Sequence, residues 1–351
     1  MPFNLDDAFP NINIGLKNIG FFFGAGASFE AGYPLTEVLT RNVISKLDSE
    51  ERELLSGILE KEGFREGSPD IETISDIIYK YIYSDIRIKN LEKSIQNNIV
   101  NELLSVKDPR LDYHVQFLKS IKKLSSNISE SIWIFTTNYD MLFERAAMDA
   151  RIPIFNGFEG ILYRYFDLDK INLDYGNIRA GKFECFREPQ IKLIKLHGSI
   201  SWFRKNENIF ETGEFDLLDA ETRSLILPRR NKIIETLDVP YDRLFRYASQ
   251  IIGSQCKYIL SCGYSFRDQH INDSLIIPKL REGKIKLTAL FDRESENIDH
   301  LAQFETFNYL TNSKYCIKGT ESPNDSDVWK FSKLVNLLSI KAGFGEMNGR
   351  I

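Results

Sequence analysis

The sequence predicts an α/β fold, in which a parallel β-sheet is interrupted after its first strand by an inserted helical subdomain. Short apolar runs typical of buried strands recur along the chain, and each ends abruptly in glycine or small polar residues. Between the first two runs, residues 37–128 instead carry apolar side chains at helical spacing. A chain of 351 residues can bury a core large enough for such an elaborate domain.

Composition and charge argue against several classes of protein. The chain has 45 Lys and Arg against 50 Asp and Glu, and the net charge of −5 gives no general electrostatic reason to bind nucleic acid directly. The N-terminal residues lack the basic start and apolar core of a secretory signal, and no apolar run approaches membrane-spanning length. We therefore expect a cytoplasmic protein without membrane contact. The four cysteines form no C-x-x-C pair, so neither a zinc site nor a disulfide framework is predicted.

The first strand leads into a glycine-rich loop. Phe21–Phe23 is followed by Gly24–Ser28 (GAGAS), with Gly32 and Pro34 shortly beyond. Glycines allow the backbone to bend tightly and approach a pyrophosphate, and the next helix offers unpaired N–H groups to it. Phe29 stands where the G-x-G-x-x-G fingerprint has its third glycine, so an ordinary strand-to-helix turn is the alternative explanation of the loop.

Helical periodicity dominates the next part of the chain. A helix is predicted from the glycine loop to about Lys46. Three further apolar stripes at helical spacing follow, and each is expected to face the core rather than a ligand. Their members are Ile71, Ile74, Ile77, Ile78, Tyr81 and Ile82; Leu91, Ile95, Ile99 and Leu103; and Leu111, Val115, Leu118 and Ile121. An amphipathic C-terminal helix is predicted at 327–341, where it either packs on the core or makes a subunit contact.

Two later strands end in polar residues that suit ligand contact. The run 132–135 ends in Thr136–Asp140, and the run 191–196 leads directly into His197. Open α/β sheets bind ligands at the carboxyl ends of their strands. Asp140 would equally serve as the N-cap of the next helix, and His197 is either a structural histidine in a turn or a general base.

After a polar and largely irregular stretch at 204–238, two more strands are predicted. One ends in Gly263–Asp268, where Gly263 would admit a close backbone approach and Ser265 could donate its hydroxyl to a phosphate. A turn with a helix cap is the alternative there. The last strand ends in Asp292, which is placed as acidic residues are when they bind a ribose hydroxyl.

Taken in chain order, these loops resemble the NAD-binding and catalytic motifs of the SIR2 superfamily. The segments that carry the resemblance are Gly24–Ser28 with Gly32 and Pro34, Thr136–Asp140, Leu196–Ser199 and Gly263–Ser265. The ordered set is much more specific than any one of its members. It implies a single SIR2-like catalytic domain over 1–351, with a Rossmann-like parallel sheet, a helical insertion at 37–128 and the rest of the core at 129–320.

Departures from the sirtuin deacylases are informative. Those enzymes carry a four-cysteine zinc ribbon, and this sequence lacks that pattern. The fold expected here is therefore SIR2-like without a zinc ribbon and without a bound metal. The loops Thr136–Asp140 and Gly263–Asp268 resemble instead the bacterial SIR2-like branch of anti-phage defence systems. That branch is implied to hydrolyse NAD to nicotinamide and ADP-ribose, which depletes the cofactor and arrests the infected cell.

The resemblance also implies roles for individual residues, with NAD as the substrate. Asn138 and His197 would be catalytic: Asn138 would contact the ribose and position a water, and His197 would accept a proton. The residues implied to bind NAD are Gly24, Ala25, Gly26, Ser28, Thr137, Asp140, Gly263, Ser265 and Asp292. Among them, Asp140 would hold the nicotinamide carboxamide and Asp292 the adenosine ribose.

The resemblance bears on partners and on alternative functions as well. A free NADase would be toxic, so we expect a homo-oligomer whose activity is gated by a defence partner, such as a HerA-type hexameric ATPase or an Argonaute. Two other functions stay open from the sequence: a non-catalytic module that binds NAD or ADP-ribose, and a protein deacylase. The presence of both Asn138 and His197 argues against the first, and the missing zinc cysteines argue against the second.

Overall fold

A nine-stranded β-sheet lies at the centre of the protein, as seen in a computed structural model. The structure describes residues 16–64, 69–125, 131–173, 176–185, 190–215, 218, 223–225, 240–293, 296–324 and 326–345. The strands, in chain order, are β1 (Ile19–Phe23), β2 (Ile132–Thr136), β3 (Ile154–Phe155), β4 (Phe158–Glu159), β5 (Tyr163–Phe166), β6 (Gly176–Arg179), β7 (Lys182–Cys185), β8 (Ile191–Lys195), β9 (Gly198–Lys205), β10 (Asn208–Thr212), β11 (Arg223–Leu225), β12 (Tyr258–Cys262), β13 (Lys286–Leu290), β14 (Phe307–Leu310), β15 (Lys314–Ile317) and β16 (Thr320–Pro323).

The α-helices are numbered separately. They are α1 (Ala25–Phe29), α2 (Thr36–Ser45), α3 (Ser49–Lys61), α4 (Ile71–Tyr81), α5 (Ile86–Ser105), α6 (Asp112–Leu124), α7 (Leu142–Ala150), α8 (Tyr241–Ile251), α9 (Gln269–Ile271), α10 (Ile277–Arg281), α11 (Glu296–Ala302) and α12 (Phe331–Lys341). A 3₁₀-helix covers Leu168–Asn172, and a π-helical turn at Asn272–Ile276 joins α9 to α10.

Seven strands of the central sheet run parallel, which confirms the predicted α/β fold. The strand order is β16-β15-β14-β13-β12-β1-β2-β8-β3, in which only the pairs β14–β15 and β15–β16 are antiparallel. β1 lies between β12 and β2, with Phe23 level with both Cys262 and Thr136. Thr136 is in turn level with Lys195 of β8. Four parallel strands therefore reach the same edge of the sheet side by side.

Both faces of β1 are buried, which explains its uninterrupted apolar sequence. Phe21 and Phe23 contact Phe117 edge-on, with ring centroids 5.1 and 5.2 Å apart. Phe22 instead contacts Tyr264 at 4.8 Å. Each face of the sheet has its own hydrophobic cluster: α6, α7 and α12 contribute to the first, and α8 to α11 contribute to the second.

A third hydrophobic cluster lies between the helices α2 to α5 and the segments that follow the strands. Its helical members include Val43, Ile74 and Leu91, and its other members include Leu142 of α7 and Ile200 of β9. The four helices therefore pack against the chain beyond the ends of β2 and β8. This placement brings them close to the loops that the sequence singles out.

The domain boundaries predicted at 37–128, 129–320 and 327–341 stay predictions. The structure adds that α6 packs on the central sheet through Phe117, in a cluster separate from that of α2 to α5. α12 belongs to the same cluster as α6, with Phe331 near Phe117 at a ring distance of 5.9 Å.

The helix predicted from the glycine loop to about Lys46 is divided in two. α1 ends at Phe29, and α2 begins at Thr36. Between them, Gly32 has a φ of +107°, a conformation that favours glycine. Pro34 cannot donate a backbone hydrogen bond, and it disfavours a helical residue before it. The apolar spacing from Leu35 to Val43 corresponds to α2, and the prediction was wrong only in starting the helix at the glycine loop, before these two helix breakers.

A second sheet is five-stranded and antiparallel, with the order β11-β9-β10-β5-β4. The sequence predicts an irregular chain over 204–238, but the end of β9 and all of β10 form a hairpin there. The turn residues Asn206 and Glu207 both have positive φ, 49° and 65°, as in turns that match the twist of paired strands. Because neither residue is glycine, the turn signal is weak. Residues 226–239 of this stretch lie outside the described residues.

The described residues contain neither a membrane-spanning helix nor a cluster of metal-binding side chains. No helix there has the length and apolar character needed to cross a bilayer. In the same part of the chain, no group of three or more His, Cys, Asp or Glu side chains is arranged to hold a metal ion. Cys256, Cys262 and Cys316 are buried.

Candidate functional site

Four loops that follow parallel strands meet at one edge of the central sheet. The loop after β1 is bonded to the loop after β12, since Gly24 N donates to Cys262 O over 3.2 Å and Gly26 N donates to Gly263 O over 2.9 Å. The loops after β2 and β8 come next in the strand order. Sequence-predicted residues from all four loops therefore lie along a single edge.

Close packing of two loops accounts for the glycines in them. A Cβ atom on Gly26 would lie 2.6 Å from the Cα of Gly263, and one on Gly24 would lie 2.6 Å from Gly263 O. Gly263 itself has a φ of +68°, and a Cβ there would lie 2.3 Å from Ala27 N. A side chain at any of the three positions would collide with backbone atoms. The contact between the loops thus requires glycine, whatever ligand they bind.

Ser28, Asn138 and Asp140 form a hydrogen-bonded group at this edge. Ser28 Oγ donates to Asp140 Oδ2 over 2.6 Å, and Asn138 Nδ2 donates to Ser28 Oγ over 2.8 Å. Asn138 Nδ2 also donates to Gly24 O over 2.9 Å. Ser28 and Asp140 are buried, whereas Asn138 is half-buried. With the amide nitrogen of Asn138 bound inside the protein, its Oδ1 is the atom suited to accept a hydrogen bond from a ligand.

Asp140 also supports the start of the following helix. Its Oδ1 accepts a hydrogen bond from Leu142 N, the first residue of α7, over 3.0 Å. This bond satisfies one of the backbone donors that a helix N-terminus leaves unpaired. The N-cap residue of α7 is Met141, so the N-cap position predicted for Asp140 was one residue too early. Its support of the helix start is compatible with its place in the candidate site, because each uses a different carboxylate oxygen.

A buried lysine that sequence reasoning missed holds these loops together. Lys195 lies at the end of β8 and is 1% exposed. Its Nζ donates to the carbonyl oxygen of Asp140 and, over 3.0 Å, to Ser199 Oγ, and it lies 2.9 Å from Glu144 Oε1. Burial raises the pKa of Glu144, while the Lys195 ammonium acts in the opposite direction. The strand sequence IKLIK gives no sign that this lysine is buried.

His197 is paired with Asp268, which the sequence indicates only as the end of a loop or the cap of a helix. Its Nε2 lies 2.9 Å from Asp268 Oδ2, and the two side chains are 8% and 4% exposed. The ring of Tyr139 lies 6.3 Å from that of His197, so the pair is close to the loop that carries Asn138. A candidate general base is often accompanied by a carboxylate, but nothing in the sequence says which one. Because β1 and β2 lie between β12 and β8 in the sheet, the loop after β12 has to extend along the sheet edge to bring Asp268 to His197.

Next to this pair, the helical subdomain reaches the loop after β12. Arg267 Nη1 lies 3.4 Å from Oδ2 of Asp70, the N-cap residue of α4. Burial, with smaller contributions from the Asp268 and Glu72 carboxylates, raises the pKa of Tyr264 well above its usual range. The hydroxyl of this tyrosine therefore stays protonated at neutral pH.

The other sequence-predicted residues are distributed unevenly around the cluster. Ala25 and Ser265 are exposed on the loops after β1 and β12, and Thr137 is half-buried on the loop after β2. Asp292 follows β13, which lies beyond β12 in the sheet, and it is exposed. Its Oδ1 accepts a hydrogen bond from Asn312 Nδ2 over 2.9 Å. The structure thus gathers the residues of four loops and leaves Asp292 to one side of them.

The sequence is similar to one protein family over half of its length. The family model described as a SIR2-like domain matches residues 133–308. The matched span begins in β2 and ends in β14, so it contains Asn138, His197 and Gly263–Asp268 but not the glycine loop after β1. None of the curated proteins matches the chain.

Several solved structures are similar to the chain. One comes from work on the structural basis of sirtuin substrate affinity, at 13% identity and a TM-score of 0.43, covering 98% of this chain and 100% of the other. Sir2Tm bound to a propionylated peptide is similar at 14% identity and a TM-score of 0.44, with 98% and 100% coverage. A Sir2 homologue in complex with NAD is similar at 13% identity and a TM-score of 0.42, with 97% and 96% coverage.

Proposed function

Because the chain belongs to the family of SIR2-like domains, we propose that it binds NAD at the carboxyl edge of its central sheet and hydrolyses the bond between nicotinamide and ribose. The products are nicotinamide and ADP-ribose. The observation that carries this proposal is that Asn138 and His197 lie on neighbouring loops at that edge, with Tyr139 of the first loop 6.3 Å from the His197 ring. In the proposed hydrolysis, the side chains of Asn138 and His197 both have to reach the same bound NAD molecule.

The proposed reaction is a displacement at C1′ of the ribose. Departure of neutral nicotinamide gives C1′ oxocarbenium character, so the site has to hold the ribose and place a water on the exposed face of the sugar. The C1′–N bond breaks with its electron pair going to nicotinamide, and the water oxygen forms the new bond to C1′. His197 accepts the proton that the water loses and later returns it to solvent.

The hydrogen bonds of Asn138 suit it to the role of positioning the water. Its amide nitrogen is bound to Gly24 O and Ser28 Oγ, which fixes the side chain with Oδ1 as the acceptor. Asp140 reinforces this arrangement through Ser28. Each carboxylate oxygen can accept more than one hydrogen bond, so Asp140 can also receive the carboxamide of nicotinamide.

The rest of NAD extends along the sheet edge in this proposal. Gly24, Ala25, Gly26 and Ser28 contact the pyrophosphate region, with Thr137 beside them. Gly263 and Ser265 contact the phosphate and the adjoining ribose. Asp292 binds the adenosine ribose, and its position beyond β12 requires the adenosine to extend toward β13.

Chromatography of NAD incubated with purified protein tests the proposal. The unaltered chain should release nicotinamide and ADP-ribose, and Asn138→Ala and His197→Ala should release neither while remaining folded by circular dichroism. Asn101→Ala and His300→Ala are matched controls, because these residues are of the same types but exposed and remote in sequence from the four loops. Full turnover by either site variant would refute the role assigned to that residue.

Other outcomes of this experiment identify the competing functions. Intact NAD, together with calorimetric binding of NAD that Asn138→Ala weakens, would indicate either a non-catalytic binding module or a hydrolase that is inactive without its partner. Release of O-acetyl-ADP-ribose from an acetylated peptide would identify a protein deacylase. The deacylase product is incompatible with a dedicated NAD hydrolase, and repeating the NAD assay with the partner present separates the other two cases.

We extend the proposal to a cellular role. NAD hydrolysis would deplete the cofactor in an infected cell, as an anti-phage defence, with assembly into a homo-oligomer and a partner such as a HerA-type ATPase controlling the activity. Mass photometry of the protein, alone and with the product of a neighbouring gene, should show assemblies larger than one chain. A monomer under both conditions would contradict control by assembly.

A further inference from the structure

We propose that Asp268 is a positioning residue for His197: its carboxylate holds the imidazole with the proton on Nε2, so that the neutral ring carries its lone pair on Nδ1. The inference rests on the proposed function, because it specifies how the site activates the water that attacks C1′. It adds a residue and a tautomer that the motif resemblance does not assign.

The contact itself has the geometry of an N–H donated to a carboxylate. His197 Nε2 and Asp268 Oδ2 are 2.9 Å apart, and both side chains are almost fully buried. A carboxylate only accepts hydrogen bonds, so the proton of this contact belongs to the imidazole. In buried surroundings of low dielectric, such a charge-assisted bond is stronger than it would be in water.

The carboxylate is fixed from a second direction. Oδ1 of Asp268 accepts a hydrogen bond from Ile271 N over 3.2 Å, at the start of α9. Each oxygen thus has its own task, since one caps the helical turn and the other faces the imidazole. Rotation of the carboxylate would break both bonds at once, so the orientation of the imidazole follows from that of the helical turn.

The loop that carries Asp268 is held in a strained conformation. Phe266 has a φ of +57°, a region that non-glycine residues rarely occupy. Its ring is fully buried against Tyr264 and Phe307, and its carbonyl oxygen accepts a hydrogen bond from Asn272 Nδ2 over 2.6 Å. Strain of this kind persists only where the surroundings determine the conformation, and it is found most often at functional sites.

In the reaction, this arrangement makes Nδ1 the atom of His197 that acts as the base. The proton leaves the water as its oxygen bonds to C1′, and it is accepted at Nδ1. The resulting imidazolium is stabilised by the Asp268 carboxylate, which stays ionised throughout. The proton returns to solvent when nicotinamide and ADP-ribose leave. Asp268 therefore acts through His197 and does not touch the substrate.

The variant Asp268→Asn tests the tautomer directly. The amide can keep its oxygen on Ile271 N, and it then presents its NH₂ group to Nε2, which forces the imidazole proton onto Nδ1. Two-bond ¹H–¹⁵N correlation spectra of protein labelled at its four histidines report which nitrogen is protonated, and the His197→Ala spectrum assigns the signals. Asp273→Asn is the matched control, since Asp273 is exposed and lies on the adjoining helical turn.

We expect the Nε2–H tautomer in the unaltered chain and in Asp273→Asn, and the Nδ1–H tautomer in Asp268→Asn. NAD hydrolysis by Asp268→Asn should fall about 100-fold to 10,000-fold in kcat, the range that general base catalysis contributes, with KM changed less than about 3-fold. A purely structural role would lower the melting temperature without reversing the tautomer.

Two results would overturn the inference: an Nδ1–H tautomer of His197 in the unaltered chain, or a kcat of Asp268→Asn equal to that of the control. If the unaltered chain hydrolyses no NAD, alone or with its partner, the proposed function fails separately. The tautomer measurement still decides whether Asp268 orients His197, because it needs no substrate.

Discussion

His197 and His114 are both buried histidines, yet their surroundings differ in kind. His197 lies at the edge of the central sheet with its Nε2 2.9 Å from the Asp268 carboxylate. His114 lies in α6, where its ring is 5.1 Å from that of Phe143 and 4.7 Å from that of Phe331. Neither of its ring nitrogens has a hydrogen-bond partner among the described residues.

The comparison shows that burial and residue type do not by themselves identify a functional histidine. Burial lowers the pKa of His114 to about 4, with a smaller opposing contribution from the charge of the Asp140 carboxylate. His114 is therefore neutral at physiological pH and serves as a packing residue. A carboxylate in contact, as beside His197, instead gives the ring a hydrogen-bond partner that can orient it, as the proposed role of His197 requires. Buried charged groups hold together the site edge, which is the edge of the central sheet where the loops after β1, β2, β8 and β12 meet. The core beneath β1 is instead held together by packed aromatic rings.

The largest expected effect comes from removing a buried charge at the site edge. Lys195→Ala leaves Glu144 without its cation and the Asp140 carbonyl without this donor. Breaking a buried ion pair from one side costs about 3–5 kcal/mol, so the free energy of unfolding measured in urea should fall by that amount.

Two further variants sharpen the Lys195 test. Lys333→Ala, a change at an exposed lysine, should leave the unfolding free energy within about 0.5 kcal/mol of the original. Combining Lys195→Met with Glu144→Gln should restore part of the loss, because no unpaired charge remains buried. A cost below about 1 kcal/mol for Lys195→Ala would mean that the edge is not organised by this pair.

The aromatic core should respond to pH. Folded His114 has a pKa of about 4, whereas the unfolded chain binds a proton near the ordinary value of 6.5. The unfolded state therefore gains stability relative to the folded state as the pH falls from 6.5 to 4, by about 3 kcal/mol in all.

His114→Leu should remove this part of the acid sensitivity and leave an apolar side chain of similar size. Urea unfolding of both proteins between pH 8 and pH 4 measures it, with the value at pH 8 as the reference for each. Equal losses of stability in the two proteins would contradict a neutral, unpartnered His114.

A smaller effect is expected from Ser28→Ala at the site edge. The change removes the hydroxyl that links Asn138 to Asp140, at a cost of about 1–3 kcal/mol in unfolding free energy. NAD hydrolysis should fall as well, because the Asn138 side chain is no longer fixed. Ser56→Ala, at an exposed serine of α3, is the control for both measurements. Unchanged turnover by Ser28→Ala would separate this serine from the site.

The smallest expected effect lies outside both regions. Gly57 is in the middle of α3, and a Cβ there would meet no atom within 4 Å. Gly57→Ala should therefore raise the free energy of unfolding by about 0.5–1 kcal/mol, since alanine loses less backbone entropy in a helix. Turnover should not change. A change in turnover would show that the helical subdomain influences the site edge through its stability.

The strands and the ends of the site loops could be predicted from the sequence because they are local features. A strand buried on both faces is an uninterrupted apolar run, and Phe21–Phe23 is of this kind. The loops that follow such strands in a parallel sheet share one edge, which is why Asn138 and His197 could be placed together. The glycines were also singled out, although the structure explains them by contact between two loops.

The supporting partners could not be predicted, because each pair joins segments far apart in the sequence. The contacts of Asp268 with His197 and of Glu144 with Lys195 form only in the folded chain, where loops and strands distant in the sequence come together. His114 escaped notice for a related reason: its surroundings come from α7 and α12 as well as from its own helix. Motifs identify the groups that face a ligand, while the groups that hold them depend on tertiary structure.

The central position of β1 has a consequence for how the protein is made. β1 is the most N-terminal strand described, and yet it pairs with β12, which is translated far later. The contact between the loops of Gly26 and Gly263 therefore cannot form until the segment containing β12 has been translated. A nascent or prematurely terminated chain carries an incomplete site, so the proposed activity would be confined to molecules whose translation has passed β12.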